Sequence, residues 1–452
     1  MERSVSRLNI EISLENQVVV ESKLFKQYSD DSTDGAVQWK NPKQLVLDDS
    51  TLSKHVLFLG GIGTGKTNAI FQFVEKIRTN ADPRNDVLII FDTKGDYLRF
   101  YKDGDLVLSN REDEGKKRNK DFNYVRWNLL REIECDEEEY KEQTGNEIAR
   151  TLYEPYSKNV ENPFFPNSAR QITQAVLMAL TSGENAGKFS NVDIRRILTS
   201  PESISIEKTV DDIQESLATR PSSNWVLRYI DPSAPPQAGG VLGEVSIMLG
   251  DLFSGFFGTK GDFSIREFVR QSGRGKALFI EYDIGAGGAL TPVYRVLIDL
   301  AIKETLSRSK GSGNVYFILD EFGRLPNLNL IEAGVNYGRE LGARFLAGTQ
   351  TIGQVLSGYG EGAGNSVLSG FGTLFAFNLF DQASRNFVSE RYGSLRKKIS
   401  YRPSVASEGM HDQLTDGKVI EDWYVSDLQV GEAIASLPND HRPRKVKFAL
   451  YG

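Results

Sequence analysis

The chain has 452 residues, of which 39% are hydrophobic and 25% charged, and its formal net charge is −7. This length fits two or three domains with a sizeable core, and the negative charge argues against a surface coated in basic groups, although it allows a locally basic channel. A single cysteine, Cys135, excludes an internal disulfide framework, and three histidines far apart in the sequence give no local metal signature.

The sequence also lacks the usual signals for export and membrane insertion. Its start, MERSVSRLNIEISLENQVVVE, has no apolar stretch of the signal-peptide kind. No run of about 18 apolar residues, the length that spans a bilayer, occurs. We therefore expect a soluble, cytoplasmic protein without a transmembrane segment, whose association with a membrane would depend on partner proteins.

The first quarter of the chain combines strand patterns with one helix. LNIEISLE alternates polar and apolar residues, and NPKQLVLDD predicts a second element at a sheet edge. HVLFL then predicts a buried strand, and TNAIFQFVEKIRT has apolar residues at helical spacing. DVLIIFD (86–92) predicts another buried strand, as in a parallel sheet covered on both faces. From about 103 to 120 the polar sequence predicts a loop or a small hairpin.

Helical patterns dominate from 136 to 256, and strands resume after this region. KALFIEYD, VYFILDEF, ARFLAGTQ and TLFAFNLFD alternate with helices, which predicts a doubly wound α/β core. SYRPSVASEGMHDQLTDG (400–417) predicts a flexible loop, and RKVKFALYG predicts a last edge strand. The predicted domains are an N-terminal β-like segment (1–48), a nucleotide-binding domain (49–135 and 257–452) and an inserted all-α domain (136–256).

The segment GGIGTGKT matches the phosphate-binding pattern G-x4-G-K-[ST] between a strand and a helix. Its glycines let backbone amides approach phosphate oxygens, while Lys66 would reach the β- and γ-phosphates and Thr67 would bind Mg²⁺. The predicted nucleotide-binding residues are Gly60, Gly61, Gly63, Thr64, Gly65, Lys66, Thr67 and Asn68. This pattern predicts a site for ATP and Mg²⁺.

Two predicted strands end in an aspartate that could complete this site. VYFILDE runs into Asp320 and Glu321, which would orient Mg²⁺ and polarise the attacking water, respectively. An Asp-Glu pair favours an NTP hydrolase over a kinase, whose acceptor is a substrate hydroxyl. DVLIIFD ends at Asp92, for which two interpretations stay open: a metal-site residue, or a residue that shapes the loop FDTKGD without contacting metal.

Three further polar residues lie where the predicted sheet continues, with Arg339 in the helical segment NYGRELGAR. Gln350 ends ARFLAGTQ, where a glutamine can sense the γ-phosphate, although it could equally be a residue that leads into a helix. Arg339 could stabilise transferred charge in a neighbouring subunit's site, or it could be a surface charge. Arg344 is the competing candidate for this arginine finger.

Several segments, in this order, resemble the coupling-protein ATPases of type IV secretion and conjugative DNA transfer (TraG/TraD-like), within the FtsK/HerA class of RecA-fold motors. They are HVLFLGGIGTGKT, LIIFDTKGDYL, FILDEFGRLPNL, NYGRELGARFLAGTQTIGQVLSGYG and FDQASRNFVSERYG. The resemblance covers roughly residues 45–450. It is carried by the joint spacing of these segments, since the phosphate-binding loop alone is generic.

The resemblance implies a RecA-like P-loop core with a mostly parallel sheet and an all-α domain that meets DNA-processing partners, such as a relaxase or secretion components. It also implies a homo-oligomeric ring, a hexamer, that moves single- or double-stranded DNA without sequence specificity. The residue roles it implies are Lys66 and Thr67 in Walker A, Asp320 and Glu321 in Walker B, Arg339 as a finger acting in trans, and Gln350 as a sensor.

One departure from the family leaves alternatives open, because family members usually carry an N-terminal transmembrane anchor and this sequence starts with a β-like segment. The chain could be a motor for DNA transfer, or a cytosolic HerA-like translocase partnered with a nuclease in DNA processing or phage defence. A third hypothesis is a nucleotide-binding adaptor that recruits protein substrates through its helical region. DNA-stimulated turnover would separate the motors from the adaptor.

Short basic clusters are the candidate DNA contacts: KKRNK (116–120), RKK (396–398) and RPRKVK (442–447). Each could neutralise phosphates or be an ordinary solvated face. No helix-turn-helix or zinc-finger pattern occurs, which favours a protein that grips the DNA backbone rather than reads bases.

Overall fold

The computed structural model describes residues 8–19, 37–41, 43–110, 121–158, 160–201, 205–271, 276–283, 285, 288–325, 327–401, 411–438 and 440–452. The chain divides into two compact units. Unit 1 comprises Met1–Asp86, Gly313–Asn327 and Ile331–Gly452, and unit 2 comprises Val87–Ser312 and Leu328–Leu330.

Strands and helices alternate along much of the chain. The strands are β1 (Asn9–Val19), β2 (Val37–Asn41), β3 (Gln44–Asp48), β4 (Val56–Leu59), β5 (Val87–Asp92), β6 (Leu106–Ser109), β7 (Ala277–Glu281), β8 (Val315–Leu319), β9 (Ala343–Thr349), β10 (Thr373–Ala376), β11 (Ser394–Tyr401), β12 (His411–Lys418), β13 (Glu432–Leu437) and β14 (Asp440–Phe448). The α-helices are α1 (Asp49–Leu52), α2 (Lys66–Asn80), α3 (Leu129–Glu134), α4 (Glu138–Ser157), α5 (Phe164–Leu180), α6 (Asn191–Thr199), α7 (Ile206–Leu217), α8 (Pro235–Leu252), α9 (Ile265–Arg270), α10 (Thr291–Leu306), α11 (Ile331–Tyr337), α12 (Ile352–Tyr359), α13 (Glu361–Ser369), α14 (Gln382–Glu390) and α15 (Asp422–Ser426).

The sheet of unit 1 has a parallel centre. β10, β4, β9 and β8 are neighbours in that order and run parallel. All of their residues are buried, as expected for strands covered on both faces. On the other side of β10 the sheet continues through the antiparallel strands β13, β14, β1, β3 and β2. The predicted α/β fold class is confirmed, and the antiparallel extension is an addition to it.

Helix α2 follows the phosphate-binding loop and packs on this sheet. Its apolar positions Ala69, Ile70, Phe73, Val74 and Ile77 are buried, at the three- and four-residue spacing of one helix face. The centroid of the Phe73 ring lies 5.1 Å from that of Phe58 on β4 and 5.8 Å from that of Phe375 on β10. These contacts pack the middle of the helix against the parallel strands β4 and β10.

Strands β3 and β14 are present as predicted, but their expected edge positions were wrong, and a predicted loop contains a strand. β3 and β14, expected at sheet edges, lie between β2 and β1 and between β1 and β13. Pairing between the two ends of a chain leaves no trace in local periodicity. The predicted flexible loop at 400–417 contains β12, which pairs antiparallel with β11 from Tyr401↔His411 to Ser394↔Lys418. Both strands are polar, so they lack the apolar alternation that predicts a strand; residues 402–410 lie outside the described residues.

In its described residues, unit 2 combines three parallel strands with helices. β7 pairs with β5 on one side and with β6 on the other. The expected loop or hairpin at 103–120 was therefore wrong for Leu106–Ser109, which form a parallel strand, while 111–120 lie outside the described residues. Between 138 and 252 the described residues form helices and their connections without a strand. The predicted boundaries of an inserted all-α domain stay a prediction.

Buried polar groups tie together segments of unit 2 that are distant in sequence. The Glu132 carboxylate accepts hydrogen bonds from the Trp127 indole, the Ser264 hydroxyl and the Ile265 N–H, each at 2.8 Å. These bonds join the segment before the helical region to the segment after it. In the described part of the chain, no helix combines the length and apolar character needed to cross a bilayer.

Candidate nucleotide-binding site

The loop 60–65 between β4 and α2 has the backbone of a phosphate-binding loop. Gly63 and Gly65 have φ angles of +74° and +105°, in the region that favours glycine. A Cβ at Gly65 would lie 3.0 Å from the backbone of Gly431, whose N–H donates to the Thr64 carbonyl oxygen at 2.9 Å. The loop therefore needs glycine both for its conformation and for the close approach of a second chain segment.

Lys66 carries a positive charge next to this loop. Its Nζ donates to the carbonyl oxygens of Gly60 at 2.5 Å and Gly61 at 2.9 Å. The helix that begins at Lys66 has no side-chain cap, since its N-cap residue is Gly65. The ammonium and the N-terminal turn of the helix together favour an anion at this loop.

Thr67, at the start of α2, and Asp320, directly after β8, come together in the folded chain. Asp320 directly follows β8 and is 6% exposed, and its Oδ2 accepts a hydrogen bond from the Thr67 hydroxyl at 3.1 Å. β9 lies between β4 and β8, and a Cβ at Gly348 on β9 would lie 2.3 Å from the Asp320 carbonyl oxygen and 2.9 Å from its Oδ1. Glycine at 348 thus makes room for Asp320. This role of Gly348 was not predicted from the sequence, although a glycine inside an apolar strand often marks a place where another part of the backbone comes close.

These two residues supply the oxygen donors that suit magnesium. In the described residues, no group of three or more His, Cys, Asp or Glu could hold a metal by itself. Mg²⁺ in nucleotide sites takes one or two protein oxygens and fills its shell with water and phosphate. The hydroxyl of Thr67 and the carboxylate of Asp320 fit this requirement, and Glu321 follows, half-buried.

Gln350 lies at the level of the phosphate-binding loop. Leu59 and Thr349 face each other in the parallel pairing of β4 and β9, and the Gly60 N–H donates to the Thr349 carbonyl oxygen at 3.2 Å. The Gln350 N–H and the Thr349 hydroxyl both donate to Oε1 of Gln354, at 3.3 and 3.2 Å. Gln354, which sequence reasoning did not single out, thereby holds the end of β9.

The two arginine candidates differ in environment. Arg339 is exposed in the short 3-10 helix Gly338–Leu341, and its guanidinium makes no hydrogen bond or ion pair with residues that the structure describes. Arg344 is 6% exposed and its guanidinium binds the Asp49 carboxylate at 3.1 and 3.2 Å. Arg344 is thus engaged within its own unit, which leaves Arg339 as the arginine able to reach another molecule.

The side chains of Asn68 and Asp92, two residues considered for the site from the sequence, form hydrogen bonds with the backbone of this chain. The Asn68 side chain donates to the Ala449 carbonyl oxygen at 3.0 Å and accepts from the Tyr451 N–H at 2.8 Å. Its contact with nucleotide stays a prediction. In unit 2, the Asp92 carboxylate accepts from the N–H groups of Lys94, Gly95 and Tyr97 at 2.8 to 3.0 Å. These bonds favour the interpretation in which Asp92 shapes its own loop.

Acidic residues accompany the basic clusters that the structure describes. On β14, Lys445 pairs with Glu432 at 2.8 Å. Two further pairs of the cluster 442–447 are Arg444–Asp440 at 2.7 Å and Lys447–Glu15 at 2.6 Å. In 396–398, Arg396 lies 3.9 Å from an exposed acidic residue, Asp416. The cluster 116–120 lies outside the described residues.

Comparisons with known proteins identify the family of this chain. Residues 44–416 match the family model described as "Type IV secretion-system coupling protein DNA-binding domain". The chain is 24% identical over 383 residues to the coupling protein TraD of Escherichia coli (strain K12). The aligned region covers 83% of this chain and 49% of TraD. The chain therefore spans about half the length of this curated relative.

Solved structures show the same fold. The plasmid coupling protein TrwB in complex with the GTP analogue GDPNP superposes with a TM-score of 0.68 at 18% identity, over 99% of this chain and 95% of TrwB. VirB4 of Thermoanaerobacter pseudethanolicus gives a TM-score of 0.51 at 12% identity, over 93% of this chain and 97% of VirB4. At these identities the likeness concerns the fold, and it agrees with the predicted P-loop architecture.

Proposed function

The chain belongs to the family of type IV secretion-system coupling proteins, and on this premise we propose that it is an ATP-hydrolysing motor that moves DNA for conjugative transfer as a ring of six identical subunits. The observation that carries the proposal is the 3.1 Å hydrogen bond from Thr67, at the start of α2, to Asp320, at the end of β8. It brings a phosphate-binding loop and an acidic strand end into one site, with Glu321 as the next residue.

Different residues of unit 1 would bind the triphosphate, hold Mg²⁺ and activate the attacking water. The Lys66 ammonium and the backbone N–H groups of loop residues 62–65 would bind the triphosphate, since the Gly60 and Gly61 N–H groups donate to backbone carbonyl oxygens. Thr67 and Asp320 would hold Mg²⁺, which neutralises phosphate charge when bound. Glu321 would orient a water molecule and accept its proton, and Gln350 would contact the γ-phosphate. TrwB, a relative in fold, has been solved with ADP and Mg²⁺ and with ATP and GTP analogues, which supports a magnesium–nucleotide ligand.

Arg339 would act on the site of a neighbouring subunit. Its guanidinium is exposed and, among the described residues, makes no hydrogen bond or ion pair. An arginine finger supplied by another subunit stabilises charge that develops on the phosphoryl group during transfer. A ring of head-to-tail contacts would place each Arg339 at the next subunit's phosphate-binding loop.

DNA would be bound through its backbone without sequence specificity. The matched family model is that of a DNA-binding domain. The cluster 442–447 is accompanied by acidic partners, so it is a weak candidate for the main contact. Membership in the coupling-protein family favours DNA transfer over the alternative of a translocase partnered with a nuclease.

Turnover measured with and without DNA tests the proposal. We expect the full chain to hydrolyse ATP with Mg²⁺, and single- or double-stranded DNA at low salt to raise the rate. Lys66→Ala, which removes the ammonium from the loop, controls for contaminating ATPases. Nucleotide binding with turnover that DNA leaves unchanged would favour the adaptor hypothesis instead.

A further inference from the structure

We infer that Asp49 and Arg344 are positioning residues that hold Arg339 for its action on the neighbouring subunit. This inference rests on the proposed function, in which Arg339 is the arginine finger. Asp49 and Arg344 form an ion pair outside the phosphate-binding loop. Three sets of contacts in unit 1 carry it.

The first is the ion pair itself. Arg344 Nε and Nη2 donate to the two carboxylate oxygens of Asp49 at 3.2 and 3.1 Å, a two-pronged geometry that fixes the plane of the guanidinium. The Arg344 side chain is 7% exposed and that of Asp49 is 32% exposed. Asp49 begins α1, whose cap Asp48 accepts a hydrogen bond from the Thr51 N–H at 2.9 Å.

The second contact connects this pair to Arg339. Arg344 Nη1 donates to the Arg339 carbonyl oxygen at 3.0 Å and to the Ala343 carbonyl oxygen at 2.9 Å. Each guanidinium nitrogen of Arg344 therefore has an acceptor within its own unit. The bond holds the backbone of Arg339 and leaves the Arg339 side chain exposed.

The third contact ties the same segment to the strand of the phosphate-binding loop. His55, directly before β4, accepts the Phe345 N–H on Nδ1 at 3.1 Å, so its Nε2 carries the proton and donates to the Val335 carbonyl oxygen at 3.0 Å. Phe345 lies on β9 and Val335 on α11, the helix that leads into the segment of Arg339. The element that carries Arg339 is thus held by residues next to β4.

The segment that carries Arg339 depends on such tethers because it is short. The 3-10 helix Gly338–Leu341 has four residues and ends at Gly342, which has a φ of +93° and a Cβ position only 2.2 Å from the Gly313 carbonyl oxygen. Two glycines flank the segment, so its own conformational preferences restrain it little. Removing Arg344 would release the Arg339 carbonyl and leave Asp49 without its cation.

A subunit-mixing experiment tests the inference. Arg344→Ala alone should lower DNA-stimulated turnover by about 100-fold, the order expected when a catalytic group is misplaced by about 1 Å. Mixed with subunits that carry Lys66→Ala, it should regain activity, because the latter supply a well-held Arg339 to intact sites. In a random 1:1 mixture of a head-to-tail ring, about a quarter of the interfaces have this productive pairing. A purely structural defect would not be complemented in this way.

Two further variants keep the test decisive. Asp49→Asn removes the charge with little change of shape and should show the same complementation if Arg344→Ala fails to fold. Lys418→Ala breaks another half-buried ion pair of unit 1, with Asp422 at 3.5 Å and side-chain exposures of 34% and 35%, and should keep turnover. If Arg339→Ala is complemented but Arg344→Ala and Asp49→Asn are not, the inference is overturned and the proposed function stands. If Arg339→Ala is not complemented either, the finger in trans fails and the inference fails with it.

Discussion

The hydroxyl of Thr67 donates a hydrogen bond to Oδ2 of Asp320 at 3.1 Å, although 253 positions separate the two residues in the sequence. Thr67 lies at the start of α2, after the loop that follows β4, and Asp320 directly follows β8. The strands β4 and β8 are not neighbours, since β9 lies between them. Gly348 on β9 leaves the space that Asp320 occupies. Two oxygen groups of the kind that bind magnesium are therefore close together in the folded chain.

Removing the hydroxyl of Thr67 should uncouple nucleotide binding from magnesium. In Thr67→Val, which keeps the branched shape, we expect ATP affinity to become nearly independent of Mg²⁺ because one metal donor is lost. Titrations of ATP with Mg²⁺ and with EDTA measure this. Thr79→Val, on the exposed end of the same helix, should behave as the wild type. Equal Mg²⁺ dependence in the two variants would exclude Thr67 as a metal ligand.

Replacing Glu321 should separate binding from turnover. Glu321→Gln keeps the size of the side chain but cannot accept the proton of the attacking water, so ATP should bind as before while turnover falls at least about 100-fold. Equilibrium binding and steady-state hydrolysis measure the two effects. Glu332→Gln, an exposed carboxylate on α11, is the matched control. Unchanged turnover in Glu321→Gln would rule out its role as the base.

Loss of Lys66 should abolish hydrolysis without unfolding the chain. The ammonium binds the carbonyl oxygens of the loop at Gly60 and Gly61 and is half-buried. We expect Lys66→Ala to bind ATP more weakly and to have no detectable turnover. Lys76→Ala, on the same helix and near Glu75 at 3.4 Å, should retain activity. Thermal melting of both variants checks that the fold is preserved.

Arg339→Ala should lower turnover by about 1,000-fold, the lower range for an arginine finger, and leave ATP affinity nearly unchanged. Since the side chain is exposed, its loss should have little effect on stability. Mixing with Lys66→Ala subunits should restore part of the activity, because those subunits carry an intact Arg339. A variant that stays inactive in every mixture would contradict action in trans.

His55 should make the stability of unit 1 sensitive to acid. Burial, together with the nearby Arg344 and Arg339, lowers the pKa of His55 from 6.5 to about 3, against the opposing effect of its bond to the Val335 carbonyl. Between about pH 3 and 6.5, His55 therefore binds a proton in the unfolded chain but not in the folded chain. The contribution to the free energy of unfolding is complete above pH 6.5 and falls by about 1.4 kcal/mol per pH unit as the pH drops from about 6.5 toward 3.

Denaturant unfolding at several pH values compares the wild type with His55→Asn for this effect. Asparagine tolerates the positive φ of 60° at this position and does not titrate, so the variant should be less stable at pH 7 but lose less stability on acidification. Parallel pH profiles for the two proteins would show that His55 is not the responsible group.

Some predictions from sequence held because they rest on local chemistry. The apolar run of β4, the glycines of loop 60–65 and the helical spacing of α2 are determined by residues near one another in the chain, and the structure has all three elements at the expected positions. The strands that end before Asp320 and Gln350 were found in the same way. The polar strand β12 and the positions of β3 and β14 within the sheet were missed, since polar strands and pairings between the chain ends have no local signature.

Neighbouring residues set backbone conformation and hydrophobic periodicity, so the phosphate-binding loop, the acidic strand end and the α/β class could be predicted from the sequence. Which strands lie side by side, the contact of Thr67 with Asp320 and the engagement of one arginine depend on how the chain folds in space. Arg339 and Arg344 are five positions apart and chemically identical, and the sequence left both as finger candidates. In the folded chain Arg344 is buried and forms an ion pair with Asp49, whereas Arg339 is exposed. The partner of a charged side chain depends on distance in the folded chain, which position in the sequence does not give.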